Sequence, residues 1–247
     1  MTLKIREIYS PNFDSVPRKK KQIRFLIFHY TGMKSEKAAI RRLTEIQSEV
    51  SANYFIKKNG EIILMVPDAY SSWHSGISSW GKCTMLNKYS LGIEISNPGH
   101  KFGYRKFAKK QIKSLIKLSR ILIKKYKIKK NCVLGHSDIA PDRKLDPGEK
   151  FPWKILYSNK IGIWHSLNPK SLIKMRSKKV KIEDAKIFIK KLIRFGYPSK
   201  SKIVKNKYKY QTLLVKAFQR RFRPELINGK IDKECMLILN KIAQTKV

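Results

Sequence analysis

A chain of 247 residues holds one large domain or one medium and one small domain, and its 42% hydrophobic content, arranged in periodic blocks, excludes an extended disordered chain. Its 56 Lys and Arg against 17 Asp and Glu leave a net charge of +39 at pH 7, which favours polyanionic partners such as nucleic acid, an anionic membrane face or an acidic wall polymer. The lysines are dispersed rather than gathered into one stripe, so solvated faces account for the excess as well, and no recognised nucleic-acid motif accompanies it.

No apolar run is long enough to span a bilayer, and Met1 to Ser10 contain no hydrophobic signal core. The expected location is the cytoplasm, with the periplasm or cell envelope, reached without a cleaved signal, as the alternative. Cys83, Cys132 and Cys235 are odd in number and far apart. They predict neither a disulfide framework nor a thiolate metal site, and read as buried thiols.

In chain order, the basic patch Arg18-Lys-Lys-Lys21 reads as a solvated loop. Phe25-Leu-Ile-Phe-His-Tyr30 is a near-continuous apolar run that predicts a buried central strand, with His29 at its end and Thr31-Gly32 where the chain turns. A histidine there is either a satisfied core residue or a ligand. The spacing of Ala39, Leu43, Ile46 and Val50 predicts a helix from Ser35 to Val50, with Ser35 as its cap.

Asn59-Gly60 stands between two strand-like runs, Ala52 to Lys58 and Glu61 to Val66, a strong hairpin signal. Trp73-His-Ser-Gly76 lies in a loop of small residues, as a ligand-contacting wall or as packing under the loop. Tyr89 to Ser96 reads as a strand that puts Glu94 on the face opposite Ile93 and Ile95. Phe107 to Lys129 is a long amphipathic helix with Ile112, Leu115, Ile116, Leu122, Ile123 and Tyr126 inward. Cys132 to His136 is a short strand, so His136 also ends a strand.

Next comes Gly135 to Gly148, with one imidazole, three carboxylates, an arginine and a lysine, broken twice by proline. Such a segment is a loop, of the kind that carries metal ligands and catalytic groups on a rigid scaffold. Strands alternating with helices, plus one hairpin, predict an α/β fold with a mixed central β-sheet flanked by helices. Beyond Trp164 the character changes. Leu167 to Lys179 reads as a basic linker between a domain over residues 1–166 and a small all-α module over 180–247. Three helices are expected in that module, near Ile182 to Phe195, Thr212 to Phe222 and Asp232 to Ile242.

A catalytic zinc takes three protein ligands and keeps a position open for water. Strand-end histidines and a carboxylate meet that requirement, and the residue types alone leave Asp138, Asp142 and Asp146 as rivals. The segments Phe28-His-Tyr-Thr31, Ser51-Ala-Asn-Tyr54, Trp73-His-Ser-Gly76, Leu91-Gly-Ile-Glu-Ile95, Gly135-His-Ser-Asp-Ile-Ala-Pro141, Arg143-Lys-Leu-Asp-Pro-Gly148 and Phe151-Pro-Trp153 resemble, in order and spacing, the zinc-dependent N-acetylmuramoyl-L-alanine amidases of type 2 (AmpD/AmiD-like). The resemblance covers residues 20 to 165. Ala217-Phe-Gln-Arg-Arg-Phe-Arg-Pro224, with Asn228-Gly229 and Asp232, is similar to the helical peptidoglycan-binding module often appended to them.

The resemblance implies one zinc per chain, held by His29, His136 and Asp146. It implies Glu94 as the general base that takes a proton from the attacking water, and Lys144 as the group that stabilises the oxyanion. Asn53, Tyr54, Trp73 and His74 are expected at the substrate, although many relatives carry histidine where this chain has Asn53. The implied reaction is hydrolysis of the amide joining N-acetylmuramic acid, or its 1,6-anhydro form, to L-alanine in peptidoglycan or muropeptides. The alternative is a non-catalytic peptidoglycan-binding protein. The sequence leaves the oligomeric state open.

Overall fold

The computed structural model describes residues 3–244. In chain order the elements are β1 (Ile5–Glu7), β2 (Phe13–Asp14), β3 (Phe25–Tyr30), α1 (Glu36–Thr44), β4 (Tyr54–Ile56), β5 (Ile62–Leu64), β6 (Ser71–Ser72), β7 (Ser79–Trp80), β8 (Cys83–Thr84) and β9 (Ser90–Ile95). They continue with α2 (Lys109–Tyr126), β10 (Val133–Gly135), α3 (His136–Ile139), α4 (Trp153–Ser158), α5 (Pro169–Met175), α6 (Ile182–Phe195), α7 (Lys207–Phe222) and α8 (Lys233–Ala243). Six strands form the central sheet in the order β1-β5-β4-β9-β3-β10. The β4–β5 hairpin is antiparallel and the other pairs are parallel, so the sheet is mixed as expected. No helix among the described residues is long and apolar enough to cross a membrane.

The apolar run of β3 follows from cover on both faces. Leu26 and Phe28, with Leu91, Ile93, Ile95 and Val133, pack under Leu115, Leu118 and Leu122 of α2 and Trp153 and Leu156 of α4. Phe25, Ile27 and Leu134 point the other way, into a core shared with Phe188, Leu192, Phe218, Phe222 and Ile238 of the C-terminal helices. Each fully buried side chain of this kind contributes ~1.5–3 kcal/mol. The C-terminal helices therefore cover the sheet directly. His29 and Glu94 lie on this second face, beyond the edge of that core.

Several boundaries moved. The helix expected over Ser35 to Val50 keeps its Ser35 cap, which accepts from the Ala38 N–H, but ends at Thr44. Past it the Asn12 amide donates to the Glu45 and Val50 carbonyls at 2.9 Å, and that tertiary contact draws the chain out of the helix. The hairpin turns at Gly60 with φ at +90°, where the Lys57 carbonyl takes the Gly60 N–H at 2.9 Å. The stretch read as a linker contains α5, capped by Asn168, with Leu172 buried in the shared core. A helix opening on Asn-Pro was legible there, because proline suits the first helical turn. Asp232 caps α8 as expected.

Candidate active site

Three parallel strands carry the site at their C-terminal ends, where ligands of open α/β sheets commonly bind. In the β3–β9 register His29 stands directly beside Glu94, and the β10–β3 register sets Gly135 beside Phe28. His136, the next residue, thereby comes alongside His29. Gly135 is required for space. A Cβ there would lie 2.6 Å from Pro147 Cδ, in the loop that brings Asp146 back to His136. The Ser137 N–H holds that return by donating to the Asp146 carbonyl at 2.8 Å.

His29 Nδ1 and His136 Nδ1 are 2.9 Å apart, and each lies 3.0 Å from Asp146 Oδ2. All three residues are buried. His136 Nε2 lies 3.1 Å from the Ser75 carbonyl, which only accepts, so that nitrogen donates and His136 Nδ1 presents a lone pair to the carboxylate. A lone pair facing an anion in a buried pocket is repulsive unless a cation sits between them. Tetrahedral zinc with bonds of ~2.0–2.2 Å spaces its donor atoms ~3.3–3.6 Å apart, so this triangle needs only a slight opening. The donor set fits a metal.

The electrostatics agree. Burial works against an Asp146 charge, but His136 and His29 outweigh it and hold the carboxyl well below the usual carboxylate range. Burial pushes the His136 imidazole down to about 4, against the pull of Asp146. Burial likewise pushes the Glu94 carboxyl up to about 7, although His29 and Lys144 oppose the shift. The Glu94 residue is partly exposed at the cleft, yet its Oε2 is buried and has no hydrogen-bond partner. An unpartnered carboxylate oxygen beside the triad is poised to take a proton from a small molecule there.

The cleft above the triad holds about 420 Å³. Arg42, Lys101, Arg143 and Lys144 line it against only two carboxylates, Glu94 and Asp146, so its walls are positive. Among the described residues Lys144 makes no ion pair, which leaves its ammonium available to a ligand. Trp73 and His74 line the same cleft. Trp73 is fixed by its indole N–H donating to Asp14 at 2.8 Å. His74 faces inward, with Nδ1 3.0 Å from His29 Nε2 and Nε2 3.0 Å from Ser90 Oγ.

Asn53 and Tyr54, expected at the substrate, are placed elsewhere. Asn53 is fully buried; its amide donates to the Val66 carbonyl at 3.1 Å, and its Oδ1 accepts from Ser72 at 2.8 Å and from the Gly92 N–H at 3.1 Å. It ties strands together and has no polar atom left for a ligand. Tyr54 points to the other face of the sheet, where its hydroxyl donates to Asp68 at 2.7 Å. Strand alternation separates it from the cleft.

The other two aspartates of the charged loop face the C-terminal helices. Asp138 accepts from Arg221 at 2.5 Å, from the Tyr197 hydroxyl at 2.8 Å and from the Gly135 N–H at 2.8 Å. Asp142 accepts from Ser201. Reading the sequence missed these partners, and missed Arg143, which donates to the Ser75 and Ile77 carbonyls and clamps the loop that orients His136. No local pattern announces contacts between segments more than fifty residues apart.

Residues 19–149 match the family described as N-acetylmuramoyl-L-alanine amidase. The chain is 34% identical over 236 residues to the N-acetylmuramoyl-L-alanine amidase AmiD of Escherichia coli (strain K12), covering 90% of this chain and 83% of that protein. It is 30% identical over 167 residues to the 1,6-anhydro-N-acetylmuramyl-L-alanine amidase AmpD of Haemophilus influenzae, covering 60% of this chain and 88% of that protein. Among solved structures it superimposes on E. coli AmiD in complex with the substrate anhydro-N-acetylmuramic acid-L-Ala-D-γ-Glu-L-Lys, with a TM-score of 0.78 at 32% identity over 93% of this chain and 91% of that one. The AmpDh3 structure from Pseudomonas aeruginosa in complex with anhydromuramic pentapeptide gives a TM-score of 0.76 at 29% identity over 95% and 96%.

Proposed function

This chain belongs to the N-acetylmuramoyl-L-alanine amidase family, and from that premise we propose that it hydrolyses the amide between N-acetylmuramic acid, or its 1,6-anhydro form, and L-alanine in muropeptides and peptidoglycan. The observation that carries the reading is the buried triad of His29 Nδ1, His136 Nδ1 and Asp146 Oδ2 beside the unpartnered Glu94 Oε2. The triad would hold one zinc ion per chain. Bound there, zinc supplies Lewis acidity, polarising the amide carbonyl and lowering the pKa of water from ~15.7 toward ~7.

The chain's own groups do the rest. Glu94 accepts a proton from the attacking water as the new C–O bond forms. Lys144 faces the oxygen that gains negative charge. As the C–N bond breaks, Glu94 returns the proton to the amine of L-alanine, so charge and atoms balance. Arg42, Lys101 and Arg143 give the cleft the sign that suits the carboxylates of a stem peptide. Trp73 supplies an apolar wall. His74 lines the cleft as well and stands 3.0 Å from His29 Nε2.

We divide the chain into a catalytic unit over 1–166, a connecting segment over 167–179 and a helical wall-binding module over 180–247. The family match within 19–149 and the helices from Ile182 onward support the division. The test is mass spectrometry of products from anhydro-muropeptides and from intact sacculi, with chelator and after zinc is restored. Free stem peptide, lost on chelation and recovered with zinc, is expected. Absence of release from both substrates, with wall binding intact, would favour the non-catalytic binder.

A further inference from the structure

We infer that His74 is a positioning residue: the Leu86 carbonyl, acting through Ser90 and His74, holds His29 in the one tautomer whose Nδ1 is free for a metal ion. The inference rests on the reading of His29 as a ligand and assigns what orients it.

The direction of each hydrogen bond follows from the end of the chain of contacts. Ser90 Oγ lies 2.5 Å from the Leu86 carbonyl oxygen and 3.0 Å from His74 Nε2. A carbonyl only accepts, so the single hydroxyl proton of Ser90 is committed to Leu86. The hydroxyl then meets His74 with a lone pair, and His74 Nε2 must carry a proton. In a neutral imidazole the other nitrogen is an acceptor. His74 Nδ1, 3.0 Å from His29 Nε2, therefore receives the His29 proton. His29 Nδ1 is left bare, facing His136 Nδ1 and Asp146 Oδ2.

Two features show that the place is built for this ring. Gly92 lies beneath it, where a Cβ would come within 2.4 Å of the His74 ring. The Asn87 side-chain oxygen pins the loop, accepting from the His74 N–H at 3.2 Å and the Ser75 N–H at 2.8 Å. Ser75 then takes the Nε2 proton of His136. Two adjacent loop residues thus set the tautomers of both histidine ligands. Partners of this kind change metal affinity by ~10–100-fold in general.

The direct test is nitrogen-15 NMR of the histidine rings. In the zinc-loaded protein His74 is expected as the Nε2-protonated tautomer, and after chelation His29 is expected protonated on Nε2 as well. His74 protonated on Nδ1, or on both nitrogens at neutral pH, would overturn the inference. Zinc affinity, measured by competition with a chromophoric chelator, supplies the second readout. His74→Phe, which keeps a ring without a hydrogen-bond acceptor, should bind zinc ~10–100-fold more weakly. His74→Asn, whose amide oxygen can accept from His29, should recover most of that loss. Unchanged affinity in folded His74→Phe sinks the relay. Wild-type protein that binds no zinc sinks the ligand reading instead, so the two failures are distinguishable.

Discussion

Arg221 of α7 donates to Asp138 at 2.5 Å, joining the C-terminal helices to the loop that carries His136 two residues earlier. Both side chains are buried, at 3% and 1% exposure. The guanidinium also donates to the Val133 carbonyl at 3.0 Å and lies 4.2 Å over the Trp153 ring. Asp138 in turn accepts the Gly135 N–H at the start of the His136 turn. The C-terminal helices and the segment that carries His136 therefore share one buried ion pair.

Removing one partner leaves the other as an uncompensated buried charge, which costs ~3–5 kcal/mol. Arg221→Met is expected to lower stability by about that much in chemical denaturation. The double variant Arg221→Met/Asp138→Asn should regain a large part of it. A single variant within ~0.5 kcal/mol of wild type would rule out the coupling.

Glu94→Gln keeps the shape of the side chain and removes its basicity. Release of peptide from muropeptides should fall ~10²–10⁴-fold, with zinc content by elemental analysis unchanged. Retained turnover would remove Glu94 from the proton-transfer role. Loss of zinc together with activity would reassign it to holding the metal.

Gly92→Ala adds one methyl group where the His74 ring lies within 2.4–2.8 Å. Strand backbone accepts alanine readily, so the effect should appear in the ring's position rather than in the fold. Circular dichroism is expected to be unchanged and zinc affinity to fall ~10-fold or more. Wild-type affinity in this variant would show that the ring can move without consequence.

Acid should weaken the C-terminal helices through Asp232. Burial opposes its charge, but the N–H groups of Cys235 and Ser177 and the buried Arg223, 2.5 Å away, hold its carboxyl below the ordinary value. With the folded value depressed below an unfolded ~3.9, this stabilisation is complete above about pH 4 and is lost as pH falls through the folded value. Asp232→Asn should therefore lower the thermal midpoint at pH 7, where wild type holds the charge. The difference should shrink below about pH 4. A constant difference across that range would exclude the linkage.

The elements were legible wherever a local signal sufficed. The β3 run, the Asn59-Gly60 turn, the Ser35 cap and the periodicity of α2 all depend on neighbours within a few residues. So does the opposition of Glu94 to Ile93 and Ile95, since alternation is a property of any strand. The triad became legible through its resemblance to a known family, with Asp138 and Asp142 as rivals on residue type alone. Errors fell where a side chain's partner is distant in sequence. Asn53 was expected to meet substrate, but Ser72, Gly92 and Val66 consume its polar atoms. Tyr54 is expected at the substrate through the same motif of the resemblance, but one step along a strand reverses the face and its hydroxyl donates to Asp68.

The sequence by itself determined the strands, the turn residues and the chemistry available at each strand end, because these follow from local sterics and hydrophobic period. Only the tertiary structure decided which nitrogen of each histidine is free, which aspartate stands against both histidines and which docks the helices. Those choices depend on a carbonyl at Leu86, a carbonyl at Ser75 and a guanidinium at Arg221. Hydrogen bonds and buried charges act through space over a few ångströms, and chain order carries no record of that distance until the sheet has brought the segments together.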